Sequence, residues 1–207
     1  MKNWKLLIKN KKFAWHFSIS LLFCMLAFHF SNSVSAAIDN YNYPSLNDLL
    51  LDHLPYFGDI RFLSYLGIFG WLLLLAYHFT IPQKLPFLLF SFALFFIVRA
   101  GFISLTHMGP PPNFVLDPQF LSFNAFKSDL FFSGHTGFPF FLALLSSDKK
   151  IKYFCIGFSL IMGIWVLVAR LHYSIDVFAA FFIAHSMSVI IKLYLTKLTG
   201  IKTDNSL

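Results

Sequence analysis

Residues 86–106 read PFLLFSFALFFIVRAGFISLT. A single residue in this run, Arg99, carries a charge, and a helix that crosses a bilayer needs about 20 predominantly apolar residues. The run lacks the period-two alternation of a membrane barrel strand, so it reads as a spanning helix. Five further runs of this kind lie at roughly 13–31, 60–80, 131–147, 152–170 and 174–196. The expected fold is therefore all-α: a polytopic membrane protein built as a bundle of six transmembrane helices. Its expected organisation is a basic N-terminus at 1–12, one transmembrane catalytic domain at 13–196 and a tail at 197–207.

The breaks between runs are polar or rich in proline. Residues 32–59 form a long first loop containing YNYP, and IPQKLP at 81–86 is a tight turn with two prolines. A second long loop spans 107–130 and includes GPPP, and SSDKK at 146–150 is a short charged turn.

Composition agrees with a membrane protein. Of 207 residues, 57% are hydrophobic and 12% charged, against roughly 25% charged in an average soluble domain. Cys24 and Cys155 both sit inside apolar runs, which speaks against a disulfide framework. The net charge of +7 raises the question of nucleic acid, but the positions of the cations answer it otherwise. Lys2, Lys5, Lys9, Lys11, Lys12, Lys84, Lys149, Lys150, Lys152, Lys192, Lys197 and Lys202 all fall on one side of a six-span chain. By the positive-inside rule that side is cytoplasmic and holds both termini. Anionic lipid headgroups, not nucleic acid, are the expected partner of this charge. A basic start, an apolar run and VSA at 34–36 also resemble a secretory signal. An uncleaved anchor is favoured because an even number of spans keeps the basic C-terminus inside.

Four basic residues remain for the other side: Arg61, Arg99, Lys127 and Arg170. Three of them are Arg, whose planar fork matches phosphate oxygens; anchoring of helix ends at the headgroups is the alternative role.

The stretch FFSGHTGF, 131–138, opens the fourth run with residues that gain nothing from lipid. RLHYSID, 170–176, opens the sixth. In the orientation above both helices start on the outer side, so two helix N-termini converge, each with unpaired N–H groups and a dipole suited to an anion. Asp176 lies four residues after His172, on the same helical face. A carboxylate there holds one ring nitrogen protonated and leaves the other as a nucleophile. Gly134 permits close backbone approach, Ser133 and Thr136 offer hydroxyl donors, and Arg99 neutralises a bound phosphate. The set reads as phosphoryl transfer: His172 attacks phosphorus and His135 protonates the departing alkoxide. Two His and one Asp are also compatible with a metal site. No metal or other cofactor is expected, because histidine is a nucleophile without one. His185, in the middle of the sixth run, reads as a core histidine.

These blocks resemble the type-2 phosphatidic acid phosphatase superfamily, and within it the sphingomyelin-synthase-like branch. KSDLFFSGHT, 127–136, is similar to that branch's block C-G-D-Y-L-F-S-G-H-T, with Lys127 and Ser128 in place of Cys and Gly. HYSIDVFAAF, 172–181, is similar to H-Y-T-x-D-V-x-x-A-Y, and RAGFISLTHMGPP, 99–111, to an earlier block that begins with Arg. The resemblance implies a six-span enzyme with an exoplasmic active site, in which His172 is the nucleophile, Asp176 its partner and His135 the general acid. It also carries Asp129 into the site by position. The implied substrate is a membrane phospholipid, with a lipid alcohol as possible acceptor. A phosphatase passing the phosphoryl group to water shares the first half-reaction. A non-catalytic membrane protein or transporter would place its polar residues along a pathway, whereas here they gather at one end.

Overall fold

The computed structural model describes residues 4–58, 70, 77, 79–114, 126–127 and 129–199. Among them the helices are α1 (Trp4–Lys9), α2 (Lys11–Asp39), α3 (Leu49–His53), α4 (Leu85–Leu105, entered through a 3₁₀ turn at Pro82–Lys84), α5 (Gly134–Leu145), α6 (Lys149–Val168) and α7 (Ser174–Thr199). Four segments are long and apolar enough to cross a membrane: Lys11–Asp39, Pro82–Leu105, Lys149–Val168 and Ser174–Tyr194. The expected six spans thus resolve to four among the described residues. The candidate at 60–80 lies outside them except for Gly70, Tyr77, Phe79 and Thr80. Arg61 lies outside as well.

The fourth candidate span behaves differently from its sequence pattern. Its helix, α5, has 12 residues, and at 1.5 Å per residue it is about 18 Å long, well short of a hydrocarbon core of about 30 Å. It starts late because Ser133 is its N-cap, accepting from the Thr136 amide, and Phe131 and Phe132 precede the cap in non-helical backbone. The first helix departs in the other direction. NSVSAA, 32–37, expected as loop, continues α2 to Asp39. Its serines are accommodated because Ser33 donates to the His29 carbonyl and the buried Ser35 donates to Asp129.

α2 packs along α4, while α5 packs against α6 and α7. Small residues allow the second arrangement. A Cβ on Gly137 would lie 3.3 Å from that of Ala180, and one on Gly163 would lie 3.2 Å from Val177 Cγ1 and 3.5 Å from Thr136 Oγ1. Close backbone approach through small side chains is how helices associate where lipid removes the hydrophobic drive. An aromatic core fills the space between α4 and α5: Phe95 meets Phe132, Phe138 and Phe141 at ring-centroid distances of 5.4 Å each.

The bundle has two chemically distinct ends. At one, Trp4 donates to the Phe79 carbonyl, Lys84 hydrogen-bonds Ser147, and Tyr77 donates to Asp148. The starts of α2, α4 and α6, with Lys11, Lys12, Lys84, Lys149 and Lys150, lie here. At the other, the Ser133 amide donates to the Asp176 carbonyl, which ties the start of α5 to the start of α7. Every described residue of the expected site belongs to this second end.

Candidate active site

The α6–α7 corner is built by a residue in an unusual conformation. Arg170 follows α6 at φ 58°, the Leu171 amide reaches back to the Val166 carbonyl, and the Arg170 amide reaches the Leu167 carbonyl. This is a Schellman stop with Arg where glycine is normally favoured. The two residues it brings together, Val166 and Leu171, lie in the apolar cluster beneath the site with Leu51, Leu130, Tyr173 and Val177. The Arg170 side chain justifies the strained backbone: it is buried, Nη2 donates to the Leu54 carbonyl at 3.0 Å, and Nη1 is buried without a partner among the described residues.

The corner delivers His172 and Asp176 to one another. His172 Nδ1 lies 3.3 Å from Asp176 Oδ2, and the same oxygen accepts the Tyr173 amide at 2.9 Å. Asp176 thus performs half of a capping box, reaching back from the first turn of α7 to the residue before it. The carboxylate is fully buried and its Oδ1 has no partner among the described residues. Across from it, the His135 ring centroid is 5.9 Å from that of His172, with the planes inclined by 64°. The sequence-derived triad of His135, His172 and Asp176 is therefore brought together.

Arg99 is brought there too, but in a different role. Its Nη1 pairs with Asp129 Oδ1 at 2.7 Å, Nη2 donates to the Asp129 carbonyl at 3.2 Å, and Nε donates to the Phe132 carbonyl at 2.9 Å. Each of its three nitrogens donates once to the chain, which uses three of its five N–H groups. Arg99 thus holds the segment that leads into SGHT, and Asp129 is its counter-ion. Gly134 serves the same contact: a Cβ there would sit 3.3 Å from Arg99 Nε, so the glycine lets the guanidinium lie under the loop.

The two hydroxyls are also inward. Ser133 and Thr136 are fully buried. Ser133 Oγ accepts the Thr136 amide, and Ser159 donates to the Thr136 carbonyl at 2.6 Å. Ser133 Oγ acts here as an acceptor, and Thr136 Oγ1 is buried with no hydrogen-bond partner among the described residues. The amides of Gly134 and His135 also open α5 before any carbonyl is available to them. Pro139, lacking an N–H, leaves the His135 carbonyl without its in-helix donor.

The α7 N-terminus is already occupied. Asp48 Oδ2 accepts the Ser174 amide at 2.6 Å, and Oδ1 caps α3 through the Leu50 and Leu51 amides. Burial raises the proton affinity of Asp48, but the Ser174 and Leu51 amides, the Ser174 hydroxyl and the Leu50 amide outweigh it and hold the carboxyl below its ordinary pKa. Sequence reading passed over Asp48. SLND before LLL is a recognisable N-cap signal, but nothing in it announces a second helix. Tyr173 was also unassigned. Its hydroxyl donates to the Gly109 carbonyl and accepts the Leu46 amide, both at 2.9 Å, and so links both outer loops to the site. Among the described residues no three His, Cys, Asp or Glu side chains are grouped to hold a metal ion.

Residues 128–193 match the model of the PAP2 superfamily C-terminal domain. Over these residues the chain is similar to the PAP2 superfamily. The PAP2 region is about a third of the chain and contains His135, His172, Asp176 and Arg170; Arg99, Asp48 and Ser35 lie before it. The match agrees with the superfamily resemblance carried by SGHT and HYSID, and it does not distinguish the sphingomyelin-synthase-like branch. The PAP2 match and the long apolar helices together support a membrane enzyme of the phosphatase or phosphotransferase type. No curated protein and no solved structure matches the chain.

Proposed function

We propose that the protein is an integral-membrane lipid phosphotransferase that acts on the headgroup phosphate of a phospholipid through a phosphohistidine at His172. The observation that carries this reading is the His172–Asp176 contact with the His135 ring 5.9 Å away. Asp176 keeps the proton on Nδ1, so Nε2 carries the lone pair that attacks phosphorus. The bond from phosphorus to the diacylglycerol oxygen breaks, and His135 gives that oxygen its proton. In the second half-reaction His135 takes the proton of the acceptor hydroxyl. The acceptor oxygen then bonds to phosphorus as the P–N bond to His172 breaks.

The negative charge on the non-reacting phosphoryl oxygens falls to the Gly134 and His135 amides at the start of α5 and to Nη1 of Arg170, a buried guanidinium nitrogen without a partner among the described residues. Arg99 acts at one remove, by fixing the loop. It lies six residues before the end of α4, so the loop it anchors sits about 9 Å below that end. A recessed site suits a phosphate at headgroup depth. The lysine-rich end is assigned to the cytoplasm by the positive-inside rule, which puts the site on the exoplasmic face and both termini inside.

The acceptor is a lipid alcohol in the sphingomyelin-synthase-like reading; hydrolysis, with water as acceptor, is the second reading and shares every residue named. Purified protein incubated with defined phospholipids, with and without a lipid alcohol, separates them by mass spectrometry of the products. A new phospholipid formed only with the alcohol, together with diacylglycerol, is the expected result. Free phosphate or phosphoryl headgroup irrespective of the alcohol would establish hydrolysis. Products that persist in His172→Ala would remove the mechanism.

A further inference from the structure

Asp48 sits in the first loop, outside the PAP2 region and far in sequence from the triad. One of its oxygens caps α3 and the other accepts the first amide of α7 at 2.6 Å. That amide belongs to Ser174, two residues after His172 and two before Asp176. α7 has its own partial cap in Asp176, whose Oδ2 is shared between the Tyr173 amide and His172 Nδ1. Without Asp48, the Ser174 amide would look for another acceptor, and the nearest carboxylate in its own helix turn is the one that orients His172. The loop is held in place for this task. Gly109 donates to the Pro44 carbonyl at 3.1 Å, Ser45 donates to Pro110, and Tyr173 accepts from the Leu46 amide.

We propose that Asp48 is a positioning residue for the reaction: by supplying the α7 N-terminus with a carboxylate from the first loop, it reserves the Asp176 carboxylate for His172. The inference rests on the phosphohistidine reading above. It assigns a catalytic consequence to a loop that precedes the family region and touches no reacting atom.

The test compares Asp48→Ala with Asp148→Ala in the full-length protein. Asp148 caps α6 at the lysine-rich end through the Lys150 and Ile151 amides, so its loss removes a chemically equivalent cap away from the site. Both variants should lose thermal stability. Only Asp48→Ala should also lose turnover, by about 10- to 100-fold in kcat with KM little changed, the scale of a small misplacement of reacting groups. Asp48→Asn, with a single acceptor oxygen to share between α3 and Ser174, should fall between Asp48→Ala and wild type, and it serves as the probe if the alanine variant does not fold. Hydrogen exchange of the peptide spanning 173–178 should accelerate in the Asp48 variants and not in Asp148→Ala. Wild-type kcat in Asp48→Ala, or an equal fall in kcat in both alanine variants, would overturn the inference. So would unchanged exchange at 173–178. A wild type with no phosphoryl-transfer activity would remove the functional reading and the catalytic part of this one. The exchange experiment would still decide whether Asp48 clamps α7.

Discussion

Asp176 serves two hydrogen-bond donors with one oxygen while its other oxygen is buried and has no partner among the described residues. Asn at this position keeps one acceptor oxygen but loses the charge that stabilises the imidazolium, and its amide nitrogen, turned toward the ring, favours the wrong imidazole tautomer; the corresponding change in a serine-protease triad lowers turnover by about 10⁴. Asp176→Asn should therefore lose most of its kcat while circular dichroism and the melting temperature change little. Normal turnover in that variant would argue against a tautomer-fixing role. Arg99 and Asp129 make a different case. Removing the guanidinium leaves a partly buried carboxylate, and each charge-assisted bond lost costs about 1.5–3 kcal/mol. Arg99→Met should be strongly destabilised, whereas Arg99→Met combined with Asp129→Leu should recover part of the loss in a melting experiment because no charge is then stranded. A double variant no more stable than the single would show that the pair is not coupled. The triad was legible from HxxxD and SGH, since helical spacing fixes which side chains share a face. The role of Arg99 was not. Asp129 and Phe132 lie 30 and 33 positions from Arg99, and Ser35 lies 94 positions from Asp129, and no local pattern tells a guanidinium aimed at a ligand from one aimed at a carbonyl.

At the scale of elements, the long helices followed directly from apolar length: α4 and the start of α7 match their expected bounds to within a residue. α5 did not, because an N-cap serine in an otherwise apolar run decides where hydrogen bonding begins, and hydropathy does not register it. The two outer loops meet at Gly109, where an added Cβ would come within 2.0 Å of the Tyr43 carbonyl oxygen. Gly109→Ala must part the loops and pull the Tyr173 hydroxyl from its acceptor, so thermal stability and turnover should both fall; a variant indistinguishable from wild type in both would contradict the close approach. Asp48 gives this region a pH signature. Its carboxyl is held below the ordinary value in the folded state, so its stabilising contribution is present above the unfolded pKa of about 3.9 and is lost as pH falls through the folded value. The difference in melting temperature between wild type and Asp48→Asn should be full at neutral pH and shrink in acid. A difference that grows on acidification would reverse the sign and sink the assignment.

At the scale of the whole molecule, the charge asymmetry and the site lie at opposite ends of one bundle. With Cys24 and Cys155 replaced, a cysteine at Pro112 should react with an impermeant thiol reagent in intact cells and one at Lys150 should not; the opposite pattern would invert the proposed orientation. That asymmetry was legible because lysine placement is a property of the chain order alone. The recessed depth of the site was not, since it depends on α5 starting beside the middle of α4. The proposal as a whole stands on one covalent event, the bond between His172 Nε2 and phosphorus. It is tested most directly by mixing the purified protein with its phospholipid substrate, quenching at alkaline pH where phosphohistidine survives, and mapping the phosphorylated peptide by mass spectrometry. The account places the phosphoryl group on His172, accumulating in His135→Ala given a nitrophenyl phosphate ester whose leaving group needs no proton, and absent from His172→Ala. Phosphorylation of His135 with His172 unmodified, or turnover through no covalent intermediate at all, would contradict it.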